Sequence, residues 1–283
     1  MADTMPFARK MWRTLEPYHS MVYFSPELFD AYRELGIDDY FEVYFGSRAA
    51  AMGAVSPEVV LATFFNFSPA AVHLGLPAVW SKATPEQLIA TRLKAADTAL
   101  RRMVGDDVES DAMAEAATLA RIAADHCTPE GRPIYAAHAA LPYPGVAHLD
   151  LWHAITLLRE YRGDGHVVAL TAHGLSGCGA LVLNAASGGV DADAMRYSRL
   201  WTEDEWNAAT DVLRDRGWVD AAGAITPAGT AVHDELEALT DELAAPAWSA
   251  ITDEQGSRLR ELVRPWSRAL TEGGLFPAGF ARR

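Results

Sequence analysis

The stretch HLDLWHAITLLREYRGDGH, residues 148–166, sets three imidazoles and two guanidiniums among acids and apolar side chains. Neutral imidazole can take up, relay or return a proton, so His148, His153 and His166 are candidate acid–base residues. Arg159 and Arg162 offer planar forks for a carboxylate, including a haem propionate. Trp152 would form a wall of the same pocket. His173 follows His166 by seven residues and would face the same cavity. His138 is a further candidate. In the first half, Tyr44, Arg48, Asn66 and Trp80 would join the site if the two halves meet. Haem is the one cofactor this set suggests. No HExxH, CxxC, facial triad or haem-attachment motif occurs, so no metal site is expected.

These groups need an element that can hold them. Taken as a helix from His148 to Tyr161, Leu151, Ile155, Leu158 and Arg162 form one row. Trp152, Ile155 and Arg159 share an overlapping face, and His153, Leu157 and Glu160 lie on another. A helix apolar on several faces sits centrally in a fold. Its charges must then be paired or line a cavity, because an isolated buried charge is costly. Arg159, Glu160, Arg162 and Asp164 can supply such pairs, so a buried ion-pair hub is the rival to a ligand pocket. Asp164 is expected to cap a new helix starting near Gly165 or His166.

The remaining chain reads as mainly α-helical. Half of its 283 residues are hydrophobic, enough for one large core or two smaller ones. Ser25-Pro26, Ser56-Pro57 and Thr84-Pro85 are helix starts, and Gly36 and Gly53 are stops. Residues 128–147 are rich in Pro and Gly and read as a linker. It would separate an N-terminal helical domain, residues 1–127, from a C-terminal domain, residues 148–283. Short strands fit only near Trp218–Val219 and Ala224–Ile225. The run FFNF, residues 64–67, reads as core, and Cys127 and Cys178 as small packed residues. No apolar run is long enough for a membrane span and no signal peptide is evident, so a cytoplasmic protein is expected. The net charge of −14 disfavours a broad nucleic-acid surface.

Two segments look alike. RAAAMGAVSPEVVLATFFNFS and ALTAHGLSGCGALVLNAAS share a pattern, and each is followed by a tryptophan and a capped helix. Internal duplication is the expectation. Farther on, a helix ending RDRGWV, a tight turn, ITPAG and a long helix ending EALTD resemble the recognition helix, wing and following helix of MarR-type winged-helix proteins. FGSRAA, FNFSP and LWHAITLLREYRGDGH resemble an actinobacterial helix-turn-helix family distantly related to MarR, over most of the chain. That resemblance implies MarR-like winged-helix units with short β-wings. In that family an acid and a histidine often occupy the positions of Gly179 and Asn184, and both are absent here.

The charges oppose a working base reader. The candidate recognition helix carries Glu203, Asp204, Glu205, Asp211 and Asp215 against Arg214 and Arg216. Carboxylates at its N-terminal end suit the helix dipole and repel phosphate. The leading expectation is a winged-helix-derived protein that binds a small molecule or cofactor and acts as an enzyme of specialised metabolism through histidine acid–base chemistry. A ligand-responsive transcriptional regulator is the alternative. A non-enzymatic interaction protein that dimerises through its helices is the third.

Overall fold

The computed structural model describes residues 5–276. Among them lie fourteen α-helices: α1 (Phe7–Ser20), α2 (Pro26–Arg33), α3 (Tyr40–Ala49), α4 (Pro57–Phe64), α5 (Pro69–Gly75), α6 (Pro85–Val104) and α7 (Asp111–Asp125) in the first half. Then come α8 (Pro133–Ala139), α9 (Ala147–Ala172), α10 (Gly177–Ala186), α11 (Ala192–Ser198), α12 (Glu203–Asp215), α13 (Pro227–Ala244) and α14 (Asp253–Glu272). The fold is mainly helical, and no single helix is long and apolar enough to cross a membrane.

Helices begin where short polar side chains can satisfy free backbone donors. Ser25, Ser68, Ser110 and Thr226 each accept a backbone N–H near the helix start. Thr84–Gln87, Thr202–Glu205 and Thr252–Gln255 form reciprocal capping boxes. Prolines at first-turn positions of α2, α4, α6 and α13 lose no helical hydrogen bond there.

Two differences from the sequence expectations stand out. The strands expected at Trp218–Val219 and Ala224–Ile225 reduce to one antiparallel bridge, Val219 to Ile225. The tight turn is held instead by the Asp220 carboxylate, which accepts from the amides of Ala222 and Ala224. The second difference is that α9 does not break at Gly163-Asp164-Gly165. Asp164 Oδ2 reaches across and accepts from the amides of Ile134 (3.0 Å) and Tyr135 (2.9 Å). It therefore caps α8, a helix formed within the expected linker. A Cβ at position 165 would lie 2.2 Å from Arg132 Nη1. Glycine lets Arg132 cross α9 and donate to the carbonyls of Tyr161 and Leu243.

Two hydrophobic clusters organise the molecule. The larger runs from α1 through α7, takes in α8 and the N-terminal two-thirds of α9, and ends on α14. The smaller joins Ala169 and Leu170 of α9 to Cys178, Val182 and Leu183 of α10, Leu213 of α12 and Leu236 of α13. The clusters thus part inside α9, and the last helix packs on the first.

The halves meet tightly at one point. A Cβ on Gly177 would lie 2.0 Å from the Phe65 carbonyl oxygen, which is backbone and cannot swing away. Gly177→Ala is expected to destabilise by about 2–3 kcal/mol, as overpacking does. Urea unfolding reads the change, and a loss below about 0.5 kcal/mol would contradict the close approach.

Candidate functional site

A partly open cavity of about 200 Å³ lies where the two clusters meet. The segment from Phe64 to Phe67, after α4, forms one wall; α9 supplies Arg159, Gly163, His166 and Leu170. Leu181 and Asn184 of α10, Arg199 after α11, and His233, Leu236 and Glu237 of α13 close it. A larger recess of about 580 Å³ runs between α1 and α14. It is edged by the exposed arginines Arg13, Arg264 and Arg268. The smaller space, walled by residues of both clusters, is the better candidate for a specific ligand.

The charged floor of the cavity is built by α3 and α9. Glu160 is fully buried and Arg48 nearly so. Arg48 donates through Nε (3.1 Å) and Nη2 (2.9 Å) to the two oxygens of Glu160. Arg159 Nη1 donates to Glu160 Oε2 at 2.7 Å. Arg48 Nη1 also donates to the Tyr44 hydroxyl (3.3 Å), and its guanidinium lies 4.2 Å from the Phe64 ring centre. Burial alone would push the Glu160 carboxyl upward. The two guanidiniums outweigh that and hold it well below the usual carboxylate range.

His166 has a defined tautomer. Its Nδ1 lies 3.0 Å from Thr240 Oγ1, and that hydroxyl donates its own proton to the Leu236 carbonyl at 2.8 Å. Nδ1–H must therefore be the donor, which leaves Nε2 as an acceptor. Burial, then the Arg162 and Arg159 charges, lower the imidazole to about 4 against a partial opposing pull from Glu237. Arg199 Nη1 donates to Ser198 Oγ (3.1 Å), and its guanidinium sits 4.5 Å from the Phe67 ring centre. Its buried Nε has no partner.

Backbone strain gathers at the same junction. Phe65 has φ 62° and Leu200 φ 53°, values uncommon for bulky side chains. Both conformations are held by cross-links between the halves: Ser68 N–H donates to the Arg199 carbonyl (3.1 Å), and Trp201 Nε1 to the Asn66 carbonyl (3.0 Å). Strain held by its surroundings is a recurrent mark of ligand sites.

The residues expected to share one pocket do not. Tyr44, Arg48, Arg159 and His166 line the cavity, with Asn66 beside them. His148 lies in the larger core, its Nε2 2.6 Å from Asp97 Oδ1. His153 packs edge-on to Tyr143, and burial pushes it down to about 4. Trp152 Nε1 donates to the His19 carbonyl (3.1 Å), beneath the Arg92 guanidinium. Arg162 is spent on Asp241 (2.7 Å) and lies over Trp12. His173 Nδ1 donates to its own helix at Ala169 (2.8 Å). His138 sits between the Ile134 carbonyl (2.9 Å) and Arg92 (3.2 Å), and Trp80 Nε1 donates to Val55. The 3.6-residue helical turn separates these groups: the histidines of α9 point to different neighbours.

Sequence reading missed Arg199, His233 and Glu237. A lone arginine after a short helix carries no motif, and only the meeting of α4 with α10 reveals it. The core assigned to FFNF holds for Phe64 and Phe67, which are buried, whereas Phe65 and Asn66 are half-buried on the cavity. Among the described residues no group of three or more His, Cys, Asp or Glu is placed to hold a metal ion. The space is close in scale to a cavity of about 150 Å³ that takes benzene.

The exposed face of α12 is acidic. Glu203, Asp204, Glu205, Asp211 and Asp215 are all exposed. Arg214 is bound to Asp211 and to the Asp220 carbonyl. Arg216 donates to the carbonyls of His173 (3.2 Å) and Gly174 (3.0 Å). Both arginines are thus engaged within the chain. A family model described as a helix-turn-helix family matches residues 8–277. No match is found among curated proteins or among solved structures.

Proposed function

Since the chain belongs to that helix-turn-helix family, its acidic α12 has to be explained, and we propose that the fold here serves to bind a small molecule in the cavity between its halves. The observation that carries this reading is the space of about 200 Å³ between the halves, which combines apolar walls with polar side chains from both. The engaged arginines and exposed acids of α12 support the same reading, because a base reader needs free donors facing the groove. The unit formed by α10 to α13 is read as winged-helix-derived, its wing cut down to the Val219–Ile225 bridge.

An internal duplication accounts for where the cavity lies. Helices α4, α5 and α6 repeat the order of α10, α11 and α12. In each set a tryptophan, Trp80 or Trp201, precedes a threonine capping box, and its indole donates to a main-chain carbonyl. A ligand site between two related units needs contributions from both, as this one receives.

The test is thermal unfolding with a panel of neutral and charged single-ring compounds, paired with native mass spectrometry. A true ligand at a hundredfold excess over Kd raises stability by about 2.7 kcal/mol. Ala180→Phe, which places a ring into the cavity wall, should abolish that gain. Absence of any stabilising compound, or a gain that survives Ala180→Phe, would rule the cavity out.

A further inference from the structure

The recess of about 580 Å³ between α1 and α14 has a charge unlike that of the chain around it. Its lining holds five cations, Lys10, Arg13, Arg260, Arg264 and Arg268, and two acids, Glu16 and Glu272. With both acids counted as ionised, three positive charges remain in excess, on a chain whose net charge is −14. Both acids are also engaged. Glu16 accepts from Trp12 Nε1 (3.0 Å) and faces Arg159 (3.9 Å), and Glu272 faces Arg268 (3.9 Å).

The arginines of α14 are set in a row. Arg260, Arg264 and Arg268 stand at i, i+4 and i+8, so they share one face over about 12 Å. Like charges at that spacing disfavour a helix. Elsewhere the fold meets exposed arginines with acids. Arg258 of the same helix donates to both oxygens of Glu115 (2.9 and 2.7 Å), and Arg101 donates to Asp97 and Glu109 (both 2.9 Å). Arg260 is partly spent on Thr14 Oγ1 (3.3 Å). Arg13 and Arg264, one on each side of the recess, are exposed and have no ion pair or side-chain hydrogen bond among the described residues. Their guanidinium donors are accessible and uncommitted.

We propose that this recess binds a small molecule of the oligophosphate class, held by Arg13, Arg264 and Arg268. A single phosphate carries about two charges and leaves part of the excess unmatched. A short chain of phosphoryl groups carries more, and it presents several acceptor oxygens to planar donor forks on both helices. The volume lies within the range of small-molecule sites, about 300–1,000 Å³. A nucleic-acid duplex is a different case, because it would run beyond the recess. The remainder of the chain, −14 less the excess of three, carries −17 and opposes a long polyanion. The recess shares no lining residue with the cavity between the halves, so the two sites stand or fall separately.

Isothermal titration calorimetry at pH 7.5 and about 0.15 M salt, where exposed charges are screened beyond about 8 Å, tests this. The probes are tripolyphosphate, orthophosphate, citrate and a short DNA duplex. Tripolyphosphate should bind at least ten-fold tighter than orthophosphate or citrate. Arg13→Gln and Arg264→Gln should each weaken it at least five-fold. Arg121→Gln, which removes the same charge outside the recess, should leave it within two-fold. Circular dichroism checks that each variant folds, as expected for exposed side chains. Tripolyphosphate held no tighter than orthophosphate, or weakened as much by Arg121→Gln, overturns the assignment. Citrate bound as tightly would make the recess a site for any trianion, and tighter binding of the duplex would make it a nucleic-acid surface; either result also overturns it.

Discussion

Glu160→Ala is expected to destabilise the chain by about 3–5 kcal/mol, a large share of the stability of a domain this size. The carboxylate is fully buried and is the shared partner of Arg48 and Arg159. Removing it leaves Arg48 buried without an ion partner and Arg159 with only Glu16, 3.9 Å away. Uncompensated buried charge is costly, whereas losing the carboxylate together with its principal cation costs less. Glu160→Ala combined with Arg48→Met should therefore recover part of the loss. Urea unfolding of the three proteins measures this directly. A double variant less stable than Glu160→Ala alone would mean that Arg48 contributes through packing on Phe64 rather than through charge.

A second large effect is expected from acid. His19, His138, His153 and His166 are all held below the ordinary imidazole value, chiefly by burial; the last three fall to about 4. Between pH 6.5 and 4 the unfolded chain binds protons at these rings that the folded chain does not. Stability is thus complete above pH 6.5 and falls as pH drops, by about 1.4 kcal/mol per pH unit for each ring fully within the window. Two carboxyls work the other way. Burial raises Asp164 to about 6 and raises Glu16, so the folded chain takes up those protons earlier and gains stability as pH falls. The depressed rings outnumber the raised carboxyls, so the net effect is a loss of stability as pH falls. The urea midpoint should drop sharply from pH 7 to pH 5. A flat midpoint over that range would show that these rings stay accessible to protons in the folded chain.

The sequence carried α9 as a central helix, since no single face of it is polar enough for the surface. It also carried the starts of α2, α6 and α12, where short polar caps and first-turn prolines act locally. The partners of the α9 charges were not legible. Glu160 pairs with Arg48 across 112 residues, and Asp164 caps α8 rather than the residues just after it. Helical spacing tells which side chains share a face but not which element that face meets. The continuation of α9 through Gly165 had the same cause: Arg132, outside α9, fills the space that glycine leaves. Of the candidate site, Tyr44, Arg48, Asn66, Arg159 and His166 could be named in advance. Arg199 could not, because only the meeting of the two halves brings it to the cavity.

The sharing of α9 between two cores has a consequence for how the molecule comes apart. Its first turns anchor Leu151, Ile155 and Leu158 in one cluster, and its last turn holds Ala169 and Leu170 in the other. Neither cluster can lose this helix without withdrawing side chains from its neighbour. The two halves are therefore expected to unfold in one transition, with loosening at either end of α9 felt as lost packing at the other.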